Sequence, residues 1–152
     1  MLANPSVNQQ LAELDDLLRE VGALLRKRGR DILCGFDITS PQFEALLVLR
    51  EHGQLTMGEL CAKMYLACST ATDLIDRMER NGLIERVRDT ADRRVIRLRV
   101  LPKGSELIER VLEARQNYLA NAMTGLGAND KARLVRALQQ LCSVLSREVP
   151  AQ

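Results

Sequence analysis

Leu55-Thr56-Met57-Gly58-Glu59-Leu60 opens, and Leu101-Pro102-Lys103-Gly104 closes, the stretch on which the fold of this 152-residue chain turns. Thr56 followed three residues later by Glu59 is a capping box: the hydroxyl accepts from the third helical amide and the carboxylate accepts from the cap amide. Leu60, Cys61 and Met64 then share one face at helical spacing. A break follows at Tyr65-Leu66-Ala67-Cys68. The next helical pattern turns Ala71, Leu74, Ile75 and Met78 inward, and it carries Ser69, Thr70, Thr72, Asp73, Asp76, Arg77 and Arg80. Asn81-Gly82 stops it, because both residues tolerate the left-handed conformation of a C-cap. Two helices joined by a short turn, the second studded with hydroxyls, suit a motif whose second helix enters a major groove. Small hydroxyls reach phosphates and base edges without holding the helix away.

Beyond the stop the period changes to two. In Val95–Val100, Ile96, Leu98 and Val100 alternate with Val95, Arg97 and Arg99, a half-buried strand with one basic face. Leu83–Arg88 is its expected partner, and Asp89-Thr90-Ala91-Asp92-Arg93-Arg94 is the polar turn between them. From Leu83 to Leu101 there are six arginines against three acids, Glu85, Asp89 and Asp92. Arginine suits phosphate forks and narrow minor grooves. The predicted fold is mainly α with a small β-hairpin wing: a winged helix-turn-helix with helical arms.

At these residues the chain resembles the MarR family of bacterial transcriptional regulators. The resemblance rests on Ser69-Thr70-Ala71-Thr72, Leu74-Ile75-Asp76-Arg77-Met78 and Asn81-Gly82-Leu83-Ile84-Glu85-Arg86. It continues through Asp92-Arg93-Arg94 and Leu101-Pro102-Lys103-Gly104. It implies a homodimeric regulator of double-stranded DNA, usually a repressor, often relieved by small molecules or oxidants. The residues expected at the DNA are Cys68, Ser69, Thr70, Thr72, Asp73 and Arg77 on the second helix, with Arg88, Asp92, Arg93 and Arg94 on the wing. Asp92 is expected to orient an arginine through a charge-assisted pair rather than to touch DNA itself. Asp73 departs from the basic or neutral residue that many relatives carry there. An acid repels phosphate, so it either points aside or restricts the readable sequences.

Working outward, Met1–Asn8 read as a loose leader. Leu11, Leu14, Leu18, Val21 and Leu25 then step by three and four, widened by Leu17 and Leu24, as in a coiled-coil helix. Arg26-Lys27-Arg28-Gly29-Arg30 reads as its solvated end rather than a phosphate patch. Gly35 and Asp37 mark a break before Ser40-Pro41, a cap followed by a first-turn proline. Phe43, Leu46, Leu47 and Leu49 form the core face of the helix that Gly53 ends. After Gly104, Leu107, Val111, Ala114 and Tyr118 make one apolar row; Ile108, Leu112, Leu119 and Ala122 make another. Gly125–Gly127 breaks the pattern, and Asn129 or Asp130 caps a last helix bearing Leu134, Leu138, Leu141 and Leu145. Three long stripes outside the DNA-reading unit predict an intertwined homodimer, with residues 1–37 and 102–152 as arms and 38–101 as the reading unit. The plain alternative is that the stripes pack only within one chain.

Composition bounds the rest. A net charge of +2 makes basicity a local matter. With no Trp, two Phe and two Tyr, a stacking platform for single strands is disfavoured. No apolar run reaches membrane-spanning length and no signal-peptide pattern is visible, so a cytoplasmic protein without a membrane partner is expected. The one histidine, His52, reads as a surface residue near a helix C-terminus. Metal sensing needs more imidazoles or a tight cysteine cluster, and no metal or cofactor is expected. Cys34, Cys61, Cys68 and Cys142 have no C-x-x-C spacing; Cys61 and Cys142 read as core, and Cys68 lies near the start of the reading helix. No nucleophile-base-orienter set is present, so an enzyme is not expected. The alternatives are a winged-helix module that holds protein, or a cysteine-based redox-responsive regulator. An apolar wing tip marks the first of these, and exposed Arg93 and Arg94 argue against it. A small amphipathic or aromatic ligand is expected between arm and reading unit, where Leu33, Phe36, Phe43 and Leu47 offer an apolar lining and Arg26 or Arg30 a charge.

Overall fold

A computed structural model describes residues 5–148, with side chains from 8 to 147. The elements are α1 (Pro5–Cys34), α2 (Ser40–His52), β1 (Leu55–Thr56), α3 (Met57–Met64), α4 (Cys68–Arg80), β2 (Ile84–Arg88), β3 (Ile96–Val100), α5 (Pro102–Ala122) and α6 (Ala128–Glu148). Strands β1, β3 and β2 lie side by side in that order, antiparallel, with Ile84 opposite Val100 and Leu55 opposite Leu98. The chain divides into two compact units, one ending at Ala114 and one beginning at Arg115.

The core of the first unit is built where the apolar periodicities meet. Phe43, Leu46 and Leu49 of α2, Leu60 of α3, Ile75 and Met78 of α4, Ile84 and Leu98 of the sheet, and Ile108 and Val111 of α5 are all buried. Each such side chain contributes about 1.5–3 kcal/mol by leaving water. Burial of Ile108 and Val111 gives much of the first half of α5 to this core rather than to a dimer face.

The helix ends are set locally. Thr56 and Glu59 form the expected capping box at α3, with Thr56 N–H donating to Glu59 Oε2 at 2.7 Å and Glu59 N–H to Thr56 Oγ1 at 3.2 Å. Those bonds hold the Glu59 carboxyl below its usual pKa. Gly53 closes α2 with φ +77°, its N–H donating to the Leu49 carbonyl at 2.9 Å. At the end of α4 only Gly82 is left-handed, with φ +70°, whereas Asn81 stays right-handed.

Several boundaries differ from the sequence expectation. Of the expected leader, Met1–Asn4 lie outside the described residues, and from Pro5 the chain is already helical. The basic run 26–30 is not a helix end: α1 continues to Cys34, because Leu33 beyond it is anchored in the core. The cap of α2 is Thr39, not Ser40; Gln42 returns its side chain to the Thr39 amide at 3.0 Å. Asn129 and Asp130 lie inside the first turn of α6, which starts from the Gly127 carbonyl. Cys142 is exposed on α6 rather than buried. Strand β1 has no counterpart in the sequence expectation.

Candidate nucleic-acid interface

Along α4, Cys68, Ser69, Thr70, Thr72, Asp73 and Arg77 are exposed, while Ala71, Ile75 and Met78 are buried and Leu74 partly so. The helix therefore turns a small, polar face outward, on an axis fixed by its inner row. The Thr72 hydroxyl donates to the Cys68 carbonyl at 2.8 Å. Its proton is thereby occupied, and it presents lone pairs and a methyl group. That suits an amino-group donor or a thymine methyl on a base edge. Asp73 is exposed and lines a groove of about 440 Å³ with Ser69, Thr70 and Arg77 against Thr39 and Gln42 of the neighbouring helix start.

The six arginines of the hairpin divide into two sets. Arg86, Arg97 and Arg99 are bound within the unit. The Arg86 guanidinium reaches Asp76 at 2.6 Å and also pairs with Glu79, while its backbone N–H donates to Glu79 Oε1 at 3.1 Å. This ties β2 to the back of α4. Arg97 pairs with Asp89 and lies 3.5 Å from Glu59, joining the wing root to the start of α3. Arg99 pairs across the strands with Glu85. Arg88, Arg93 and Arg94, by contrast, are exposed and have no carboxylate partner among the described residues. They are the cations left over for a phosphate or a groove.

Two aspartates shape the loop that presents them. Asp89 Oδ1 accepts from the amides of Ala91 at 2.7 Å and Asp92 at 3.1 Å, while its other oxygen takes Arg97. The bond from Arg97, then those two amides, hold the Asp89 carboxyl at about 2. Asp92 does not orient a guanidinium, as expected from sequence; it accepts the backbone N–H of Arg94 at 3.0 Å. It shapes the backbone, and Asp89 makes the ion pair. From Arg88 to Arg94 the exposed residues are polar apart from Ala91, while Ile96, opposite Arg88 on β3, is an exposed apolar side chain.

Lys103 and Gly104 complete the unit. Lys103 Nζ donates to the Asn81 carbonyl at 2.8 Å, neutralising the end of α4. Gly104 packs so closely under β2 that a Cβ there would stand 2.3 Å from the Leu83 carbonyl oxygen.

The residues expected around a ligand are not gathered in one place. Arg30 and Leu33 border a groove of about 470 Å³ with Cys34, Asp37 and Ile38. Phe36 borders another, of about 580 Å³, with Leu83, Leu107, Lys103 and Arg110. Phe43 is buried in the core, Leu47 packs on it, and Arg26 is exposed on α1. The cations beside Phe36 are thus Lys103 and Arg110, the latter stacked 5.2 Å over its ring, and not Arg26 or Arg30. They lie on α5, far along the chain, where spacing on the first helix gives no sign of them. No group of three or more metal-ligating side chains occurs among the described residues.

Comparison with known proteins gives a consistent picture. A model of the MarR family matches residues 38–96. The chain is 44% identical over 140 residues to an uncharacterized HTH-type transcriptional regulator, YsmB, of Bacillus subtilis (strain 168), covering 92% of this chain and 96% of that one. It is 31% identical over 124 residues to the organic hydroperoxide resistance transcriptional regulator of the same organism, covering 82% and 83%. A solved MarR family protein from Bacillus stearothermophilus superposes with a TM-score of 0.84 at 50% identity, over 91% of this chain and 97% of that one.

Proposed function

This chain belongs to the MarR family of winged helix-turn-helix transcriptional regulators, and from that premise we propose that it is a repressor that binds a pseudo-palindromic duplex operator as a homodimer. The carrying observation is the pairing of one exposed hydroxyl face on α4 with three exposed wing arginines that lack carboxylate partners among the described residues. The helix is suited to base edges and the wing to phosphates or the minor groove.

Support for the dimer comes from the arms. Leu11, Leu14, Leu17, Leu18, Val21, Leu24 and Leu25 of α1 are 41–57% exposed, and Leu134, Val135, Leu138, Val144 and Leu145 of α6 are 42–54% exposed. Single chains seldom leave apolar stripes of that size in water. Residues 1–37 and 102–152, apart from Leu33, Ile108 and Val111 in the core of the first unit, would then be the dimerisation region and 38–101 the reading unit. The two reading helices would sit about 34 Å apart, one duplex turn. No helix among the described residues is long and apolar enough to cross a membrane, and we take the cytoplasm as its place of action. For release, a small aromatic or amphipathic acid fits the groove beside Phe36, its carboxylate on Lys103 or Arg110. A coupling of about 1–3 kcal/mol is usual for such control.

The test is a titration with a duplex selected in vitro, at several salt concentrations. Arg94→Ala should weaken all sequences alike and lower the salt slope by about one for each phosphate that Arg94 neutralises. Thr72→Val should change sequence preference instead. An unchanged slope for Arg94→Ala removes its phosphate role. Transcription from a template carrying that duplex should fall on adding protein; a rise would make it an activator.

A further inference from the structure

Three acids lie on α4, and two of them are committed within the chain: Asp76 and Glu79 hold Arg86. Asp73 is the third. It is exposed, with Ser69 and Thr70 one turn before it and Arg77 one turn after it on the outward face. Its carboxylate has no hydrogen bond or ion pair among the described residues. Across the groove that it lines, the amides of Thr39 and Gln42 are taken by their own capping box, and Pro41 has no N–H. A bare carboxylate on a face that approaches phosphates opposes binding to every sequence, unless the right sequence offers it a donor.

We propose that Asp73 reads cytosine: its carboxylate accepts the N4 amino group in the major groove, and each half of the operator carries a G·C pair at that place. The inference rests on the DNA-binding role proposed above. In the major groove only adenine N6 and cytosine N4 present a hydrogen to a carboxylate. The adenine amino group stands between two acceptors, its own N7 and the O4 of the paired thymine, and both repel the second carboxylate oxygen. The cytosine amino group has an acceptor on one side only, the guanine O6. A charged acceptor with two oxygens therefore favours cytosine.

The neighbours of Asp73 fit this reading. The Thr72 hydroxyl has given its proton to the Cys68 carbonyl, so it too meets the bases as an acceptor. The Arg77 side chain is exposed and has no carboxylate partner among the described residues, Asp73 included. Its charge offsets that of Asp73 toward the phosphates without occupying the carboxylate.

The experiment uses the full chain. Duplexes are selected from a random pool by the wild-type protein and by Asp73→Ala. In the wild-type consensus, the cytosine at each fixed position is then replaced, in both halves, by 2-pyrimidinone, which lacks the N4 amino group. At one position this replacement should lower wild-type affinity by about tenfold and leave the affinity of Asp73→Ala unchanged. At every other position the two proteins should respond alike. Asp73→Ala should select sites that no longer fix that cytosine, and it should bind a non-specific duplex more tightly than the wild type does. The proposal is overturned if both proteins select the same consensus, or if the replacement costs both equally at every position. It is overturned as well if the preference lost in Asp73→Ala is for adenine, or if that variant loses affinity for all duplexes alike together with a lower unfolding midpoint, which would make Asp73 structural. If the wild-type protein selects no duplex, the DNA-binding role fails and this inference with it.

Discussion

Asp89 performs at the root of the wing the ion-pairing expected of Asp92. Both are acids in one polar turn, and only the register of the turn decides which one meets Arg97. Local sequence does not carry that register; the strand pairing that sets Val87 opposite Arg97 does. The Asp89 carboxyl is held at about 2, against an ordinary value of 3.8, by Arg97 and two loop amides. Its contribution is therefore complete above about pH 4 and is lost as pH falls through 2. The Arg97 Nε–H resonance should stay protected from pH 7 down to about pH 3, and Asp89→Asn should expose it even at pH 7. Unchanged protection in that variant would place the wing's support elsewhere. Gly104 is the second decisive residue. The Lys103-Gly104 pair is visible in the sequence as a family likeness, but its reason is not: Lys103 caps Asn81, and Gly104 leaves room for the Leu83 carbonyl. Gly104→Ala must displace backbone, a cost of about 1–3 kcal/mol. Thermal unfolding should show a fall of several degrees; an unaltered midpoint would mean that β2 yields freely at this point.

At the scale of elements, the sequence discloses what local rules govern. The capping box of α3, the glycine stop of α2, the hairpin and the inner row of α4 are all set by neighbours in the chain. Thr39-x-x-Gln42 is equally readable as a capping box, and Ser40-Pro41 draws attention away from it. Strand β1 is not readable, since two residues carry no period; it exists because β3 offers a free edge. The end of α1 is hidden because Gly29 and the surrounding cations resemble a terminus, whereas burial of Leu33 carries the helix past them. The link between wing and reading helix is hidden as well. Arg86 looks like one more DNA-facing arginine, yet it binds Asp76 and Glu79. Arg86→Met should therefore weaken operator binding by loosening the wing, without the lower salt slope that follows from removing a phosphate-binding cation. Partly exposed pairs contribute little to stability, about 1 kcal/mol or less, so the unfolding midpoint should hardly move. A slope reduced as in Arg94→Ala would show that Arg86 touches DNA after all.

For the whole molecule, the question is why α1 extends so many leucines into water. A helix whose apolar stripe served its own chain would bury that stripe, as α2 and α4 do. Among the described side chains of α1 only those of the last turn reach the core, through Leu33, while Leu18 and Leu25 remain 41% and 46% exposed. These leucines add little to single-chain folding, so placing charges there separates assembly from stability. Leu18→Glu with Leu25→Glu should leave the first unit folded, with its helix caps and sheet intact by circular dichroism and amide exchange. Sedimentation at micromolar protein should shift from dimer to monomer. Operator affinity should then fall toward that of a half-site, because the second reading helix no longer arrives at high local concentration; about 10²–10⁴-fold is the usual gain from such linkage. Binding to an isolated half-site should be unchanged, which distinguishes loss of assembly from damage to the reading face. If the variant stays dimeric, the stripe on α1 is not the interface, and the exposed row on α6 must carry assembly by itself. If it becomes monomeric yet binds the full operator as before, the two half-sites are read independently and the palindrome has no role in affinity.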